Sequence, residues 1–161
     1  MVSYTTMESP VGPLVLAGDE RGLRLVWFAG GKSAGVPRAE WKRNGQPFEE
    51  VILQLRAYFG GELKEFTVPL ALEGTPFQLS VWRSLRTIPY GETISYLDLA
   101  KCIGNAKSVR AVGLANGSNP IPIIVPCHRV IGRDGSLTGF GGGLENKKKL
   151  LALESRQLRL L

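Results

Sequence analysis

Two hydrophobic periods divide this chain. Near the start, apolar and polar residues alternate through "VSYTTMES", "GPLVLAGD" and "GLRLVWFAG", with "SPVG" and "DERG" between them. A period of two over runs of this length predicts three antiparallel strands joined by tight turns. From Pro47 the period lengthens. Phe48, Val51, Ile52, Leu55, Tyr58 and Phe59 fall on one helical face that ends at Gly60-Gly61. The stretch between, "GKSAGVPRAEWKRNG", is polar and punctuated by Gly and Pro, and reads as loop; "ELKEFTVPLALEG" reads as an exit linker. Residues 1–73 are therefore expected to form a small antiparallel β-sheet with one helix, and residues 74–161 a second, mostly helical unit, giving an α/β protein in two parts.

The second part opens with Thr75-Pro76, an N-cap followed by a proline in the first helical position, and Phe77, Val81, Leu85 and Ile88 supply a core face. Ser95 can cap "YLDLAKCI", Gly104-Asn105 breaks it, and Ser108 can cap "VRAVGLANG". Two short helices about a tight turn have the form of a helix-turn-helix. In "IPIIVPCHRVIGRDG" the β-branched run Ile121–Val125, bracketed by Pro120, Pro122 and Pro126, predicts a strand, and Asp134-Gly135 a tight turn after it. The end reads as a closing helix with Leu144, Leu151 and Leu158 at a seven-residue spacing and Lys147–Lys149 on its outer side.

Charge separates the halves as sharply as periodicity does. Residues 1–73 hold eight Lys/Arg against nine Asp/Glu, whereas 74–161 hold twelve against five, so the net charge of +6 lies wholly in the second part. A phosphate-bearing partner for that part is the corresponding expectation. The opening residues lack a basic region followed by an apolar one, and no apolar run reaches the ~20 residues of a membrane span. A cytoplasmic protein is expected, nuclear if the host is eukaryotic, with no membrane partner. Two cysteines are too few for a disulfide framework, and no Cys or His precedes Cys102, which disfavours a metal site.

Cys127 stands beside His128, the chain's single histidine. A reactive cysteine needs a group that takes its proton, and an imidazole oriented by a carboxylate such as Glu154 would serve. A buried cysteine acting as a small hydrophobe, beside a solvent-facing histidine, is the other reading. In a strand, consecutive side chains point to opposite faces, so contact between the two requires a turn or an intervening water.

The segment "PIPIIVPCHRVIGRDGSLTGFGGG", with Pro-Cys-His-Arg-Val at its centre, resembles the active-site segment of the O6-alkylguanine-DNA alkyltransferases, and the similarity runs through residues 75–161. The resemblance implies direct-reversal DNA repair: one irreversible transfer of an alkyl group from O6-alkylguanine, less efficiently O4-alkylthymine, to Cys127, without a cofactor or metal. It further implies that His128 is the general base acting through a bound water, that Glu154 orients it, and that Asn119 is the hinge between recognition helix and active-site strand. Tyr96 would donate to guanine N3, and Arg110 would fill the stack left by the flipped nucleotide. Ser108 and Gly113 would approach DNA with Arg110 and Tyr96, and Pro122, Val130, Thr138, Phe140 and Gly141 would line the substrate pocket. The implied partner is double-stranded DNA containing O6-alkylguanine, bound by a monomer through the minor groove. A damage sensor that transfers nothing and a cysteine hydrolase are the rival classes, and Cys127 and the basic second half respectively argue against them.

Overall fold

The computed structural model describes residues 1–29, 37–137 and 139–160. The alternating segments form β1 (Ser3–Met7), β2 (Leu14–Asp19) and β3 (Gly22–Phe28), each antiparallel to the next. Gly22 closes the second turn at φ 140°, where a Cβ would stand 2.6 Å from the Pro69 carbonyl oxygen, so no side chain fits there. The sheet departs from the expected antiparallel pattern at one edge. Residues Lys42–Arg43, inside the stretch read as loop, form β4 and pair parallel with β1, giving the order β3-β2-β1-β4. Lys42 N donates to Val2 O and Asn44 N to Tyr4 O; both β4 side chains are exposed, and Arg43 reaches Thr6 Oγ1 and the Tyr4 ring of β1. No hydrophobic alternation marks such a strand.

Helix α1 (Glu49–Phe59) turns Val51, Leu55 and Tyr58 into the same core as Leu14, Leu16 and Val26. The linker then returns along β3, where Leu23 N donates to Pro69 O (3.0 Å) and Ala71 N to Leu23 O (2.8 Å). Beyond it, α2 (Pro76–Leu85) begins with a reciprocal capping box between Thr75 and Gln78, and α3 (Tyr96–Cys102) with one between Ser95 and Asp98. Each cap is worth about 1 kcal/mol to a short helix. Helix α4 (Val109–Gly117) follows the turn at Gly104, where φ is 78°. Ser108 occupies its N-cap position but does not cap it: the hydroxyl donates back to Asn105 O at 2.7 Å. The buried Trp82 of α2 fixes α4 by donating from Nε1 to Ala115 O at 2.9 Å.

Residues 121–125 are not the expected strand. They form a turn, and Cys127–Arg129 form one turn of 3₁₀ helix. The three prolines remove the ladder donors that a strand in this place would need. Asn119 supplies a local alternative, its Oδ1 accepting from Ile121 N (2.9 Å) and its Nδ2 donating to Val125 O (2.8 Å). The turn is tight enough to hold the β-branched Ile123 at φ 76°. After the 3₁₀ turn, β5 (Ile94–Ser95) and β6 (Val130–Ile131) pair in parallel, and the expected turn follows, with Gly132 N donating to Ser136 O and Gly135 at φ 86°.

The closing helix, α5 (Leu144–Leu160), is present but rotated from the expected face. Lys147, Leu150 and Glu154 are inside, and Leu144 is 45% exposed. Hydrophobic spacing pointed to the leucines, but the buried face is set by what the 3₁₀ turn requires: Lys147 Nζ donates to Val130 O at 2.7 Å, and Glu154 meets His128 and Arg129. No helix among the described residues is long and apolar enough to cross a membrane.

Candidate active site

A cleft of about 240 Å³ lies between β3 and the second half, with Cys127 in its wall. Asn116 to Pro120, at the end of α4 and after it, form one side, and Pro122 and the loop Gly139–Gly142 another; Val26, Trp27 and Phe28 of β3 complete it. Pro122, Phe140 and Gly141 thus stand where a substrate pocket was expected. Val130 is not among the residues that line the cleft: its side chain is wholly buried, and its carbonyl accepts from Lys147 Nζ. Thr138 lies outside the described residues.

The loop is held from the first half. Phe28 packs edge-on against Phe140, with ring centroids 5.4 Å apart, and a Cβ on Gly142 would come within 2.7 Å of the Phe28 ring. Glycine at 142 is therefore a packing requirement. Main-chain pairing of Val26 N with Pro120 O, at 3.0 Å, ties the same strand to the Asn119 turn.

Cys127 is 5% exposed, and burial pushes its thiol up to about 11, against the opposing pulls of the Asn119 side chain and the Lys147 charge. Near neutral pH the sulfur therefore carries its proton and needs a base. The 3₁₀ turn places His128 wholly inside, contrary to a solvent-facing imidazole, with Nε2 2.7 Å from Glu154 Oε2. Burial lowers the His128 pKa, opposed by the Glu154 carboxylate. The ring is neutral at pH 7, and because a carboxylate only accepts, Nε2 carries the hydrogen. Nδ1 keeps its lone pair and has no protein partner among the described residues.

Glu154 is 1% exposed and heavily coordinated. Besides His128, it accepts from Arg129 Nε (2.8 Å) and Nη2 (3.1 Å), from Tyr58 Oη (2.6 Å) and from Gly91 N (3.3 Å). Burial alone would raise its pKa, but the hydrogen bonds and charges of His128 and Arg129 prevail and hold it at about 2. Arg129 completes its own bonding through Nη1 to Ile88 O at 2.7 Å. This arrangement is a buried thiol, a neutral imidazole with one ring nitrogen available, and an ionised carboxylate that fixes the other.

The remaining expected residues lie on the helix pair rather than in the cleft wall. Tyr96, in the first turn of α3, is half-buried, and its ring lies beside Gly113 of α4, 3.8 Å from where a Cβ would stand. Arg110 is exposed on the first turn of α4, next to Ser108. Ser108, Arg110 and Gly113 all belong to α4 or its N-cap position, the helix whose other end, at Asn116 and Gly117, borders the cleft. Sequence reasoning missed Arg129, Lys147 and Tyr58. Lys147 shares a helix face with Glu154, seven residues on, but a basic side chain in that place reads as surface until its partner is known. Tyr58 had no signal, since it reads as any core aromatic.

Known proteins resemble this chain in sequence and fold. Residues 2–72 match the ribonuclease-like domain of 6-O-methylguanine DNA methyltransferase, and residues 76–156 match its DNA-binding domain. The chain belongs to this family. A methylated-DNA–protein-cysteine methyltransferase of Methanosarcina acetivorans is 58% identical over 151 residues, which are 94% of this chain and 97% of the relative. One from Mycolicibacterium paratuberculosis is 52% identical, covering 97% of this chain and 94% of its own. Among solved structures, Mycobacterium tuberculosis OGT in complex with DNA superimposes with a TM-score of 0.90 at 51% identity, over 96% of this chain and 94% of that one. The similarity to these relatives extends across both halves, including the β3 strand that borders the cleft and the α1 helix whose Tyr58 reaches Glu154.

Proposed function

We propose that this protein repairs DNA by transferring the alkyl group of O6-alkylguanine, and less efficiently of O4-alkylthymine, irreversibly to Cys127. The observation that carries this reading is the cleft that meets a buried thiol, backed by the His128–Glu154 pair. His128 Nδ1 removes the thiol proton through one bridging water. The sulfur attacks the alkyl carbon, the S–C bond forms as the C–O6 bond breaks, and the electron pair leaves with guanine. Tyr96 donates a proton or hydrogen bond to N3, so that the base need not depart as a bare anion. The ionised Glu154 stabilises the imidazolium formed in the first step, and Asn119 holds the Cys127 turn. All these groups are side chains of this chain.

A reacting atom inside a duplex is beyond reach, so the nucleotide must leave the stack. Arg110 takes the vacated place, and the small residues of "VRAVGLANG" let α4 approach the minor groove closely, with Ser108 and Gly113 at the contact. The protein acts as a monomer. Residues 1–73 and 74–161 form the two units, the second carrying the DNA contacts and its excess of positive charge.

Mass spectrometry after incubation with a duplex containing O6-methylguanine tests the whole reading. The peptide bearing Cys127 should gain the mass of one CH₂, and repair should stop at one base per protein. Repair of several bases per molecule, or repair that leaves Cys127 unmodified, would overturn it.

A further inference from the structure

The catalytic cysteine, base and carboxylate all belong to the second half, yet one of the shortest hydrogen bonds on the carboxylate comes from the first. Tyr58, at the end of α1, is wholly buried and donates from Oη to Glu154 Oε2 at 2.6 Å. The same oxygen accepts from His128 Nε2 at 2.7 Å, while Arg129 engages both carboxylate oxygens. The phenol ring is fixed by Phe59, Phe66 and Tyr90, whose centroids lie 5.4, 5.4 and 6.3 Å away. Such packing leaves the hydroxyl no other direction.

Resting on the alkyl-transfer reading, we propose that Tyr58 is a positioning residue of the reaction: its hydroxyl holds Glu154 Oε2 so that the shared proton stays on His128 Nε2 and Nδ1 faces the reaction as a lone pair. The tyrosine hydroxyl adds to His128 Nε2 and Arg129 Nη2 on the same oxygen and draws off part of its negative charge, which keeps the carboxylate from drawing the imidazole proton fully to itself. The first half then contributes to reactivity directly, through a phenol hydroxyl delivered by a helix outside the DNA-binding unit.

The effect can be separated from packing because Tyr58→Phe keeps the ring and removes only the oxygen. Glu154 without that donor attracts a proton on His128 more strongly, so His128 remains protonated, and useless as a base, to higher pH. The other charged or titratable groups around the pair, Arg129, Lys147, Tyr90 and Cys127, are unchanged by the substitution. In single-turnover transfer from O6-methylguanine duplex, the acid-side midpoint of the rate–pH profile should rise by about half a unit and the rate below it should drop severalfold. Site-specific 3-fluorotyrosine at position 58, a stronger donor of nearly the same shape, should move the midpoint downward. Tyr58→Leu should lower the melting temperature, whereas Tyr58→Phe should retain most of it.

An unmoved midpoint in both Tyr58→Phe and the fluorotyrosine protein, with Cys127 still becoming alkylated, would overturn the role of Tyr58 alone. Failure of the wild-type protein to alkylate Cys127 would remove the transfer reading on which it rests.

Discussion

The buried sulfur of Cys127 cannot ionise unaided near neutral pH, so activity depends on His128 and on what surrounds it. Cys127→Ala should abolish transfer while leaving DNA affinity within about twofold, because affinity comes chiefly from phosphate contacts and α4; a gel-shift assay beside the mass measurement checks both. Cys102, exposed at the end of α3, should be replaceable by Ala without loss of transfer. Glu154→Gln removes the charge that stabilises the imidazolium, and transfer should slow by ~10²–10⁴-fold, the usual span of general acid–base assistance. The same change strands Arg129 beside a neutral amide, and breaking a buried pair of this kind costs ~3–5 kcal/mol. Denaturant unfolding alongside single-turnover kinetics separates the two losses. At this scale Arg129 and Lys147 were illegible as inward residues, since a basic side chain ordinarily reads as surface and only its partners reverse that expectation.

The turn from Asn119 to Pro126 is the element on which the site depends. One amide side chain satisfies Ile121 N and Val125 O, and it does so against a backbone bent enough to hold Ile123 at φ 76°. Asn119→Ala should destabilise the protein by ~1–3 kcal/mol, since Ile121 N loses its acceptor and Val125 O keeps only Cys127 N. It should also slow transfer, because Cys127 is carried by the released segment; chemical denaturation and alkylation rates are the measurements. Helix α4 poses a different test. Arg110→Ala should slow transfer from duplex O6-methylguanine more than from the free base, as only the duplex must be opened, and equal slowing would assign Arg110 a structural role. Capping boxes and the Gly104 break made the helices of this half readable in advance. The strand expected at Ile121–Val125 failed because β-branched composition outweighed the prolines, whose missing donors are the stronger constraint.

For the whole molecule, acid should reveal the buried network in two stages. The folded-state pKa of His128 is lowered, so the stability tied to its neutral form is complete above its ordinary 6.5 and declines as pH falls below that value. Glu154 is depressed from 4.5 to about 2, so its contribution is complete above 4.5 and is lost on the way down to about 2. Thermal melting should show both declines in the wild type, and only the first in a folded Glu154→Gln protein. Alkylation of Cys127 adds bulk where the Asn119 turn, the Gly139–Gly142 loop and β3 converge, and overpacking there should cost ~1–3 kcal/mol, seen as a lower melting temperature of the product. By itself, the sequence determined the change of period near Pro47, the helix starts, the concentration of positive charge after residue 73 and the family likeness around Cys127, because each is written in neighbouring residues or in local spacing. Only the tertiary structure decided that Phe28 would brace the loop, that Lys147 and Arg129 would turn inward, and that Tyr58 would reach Glu154 across 96 positions of chain. Those contacts join side chains far apart in sequence, and a residue's local pattern carries no record of the partner that folding brings to it.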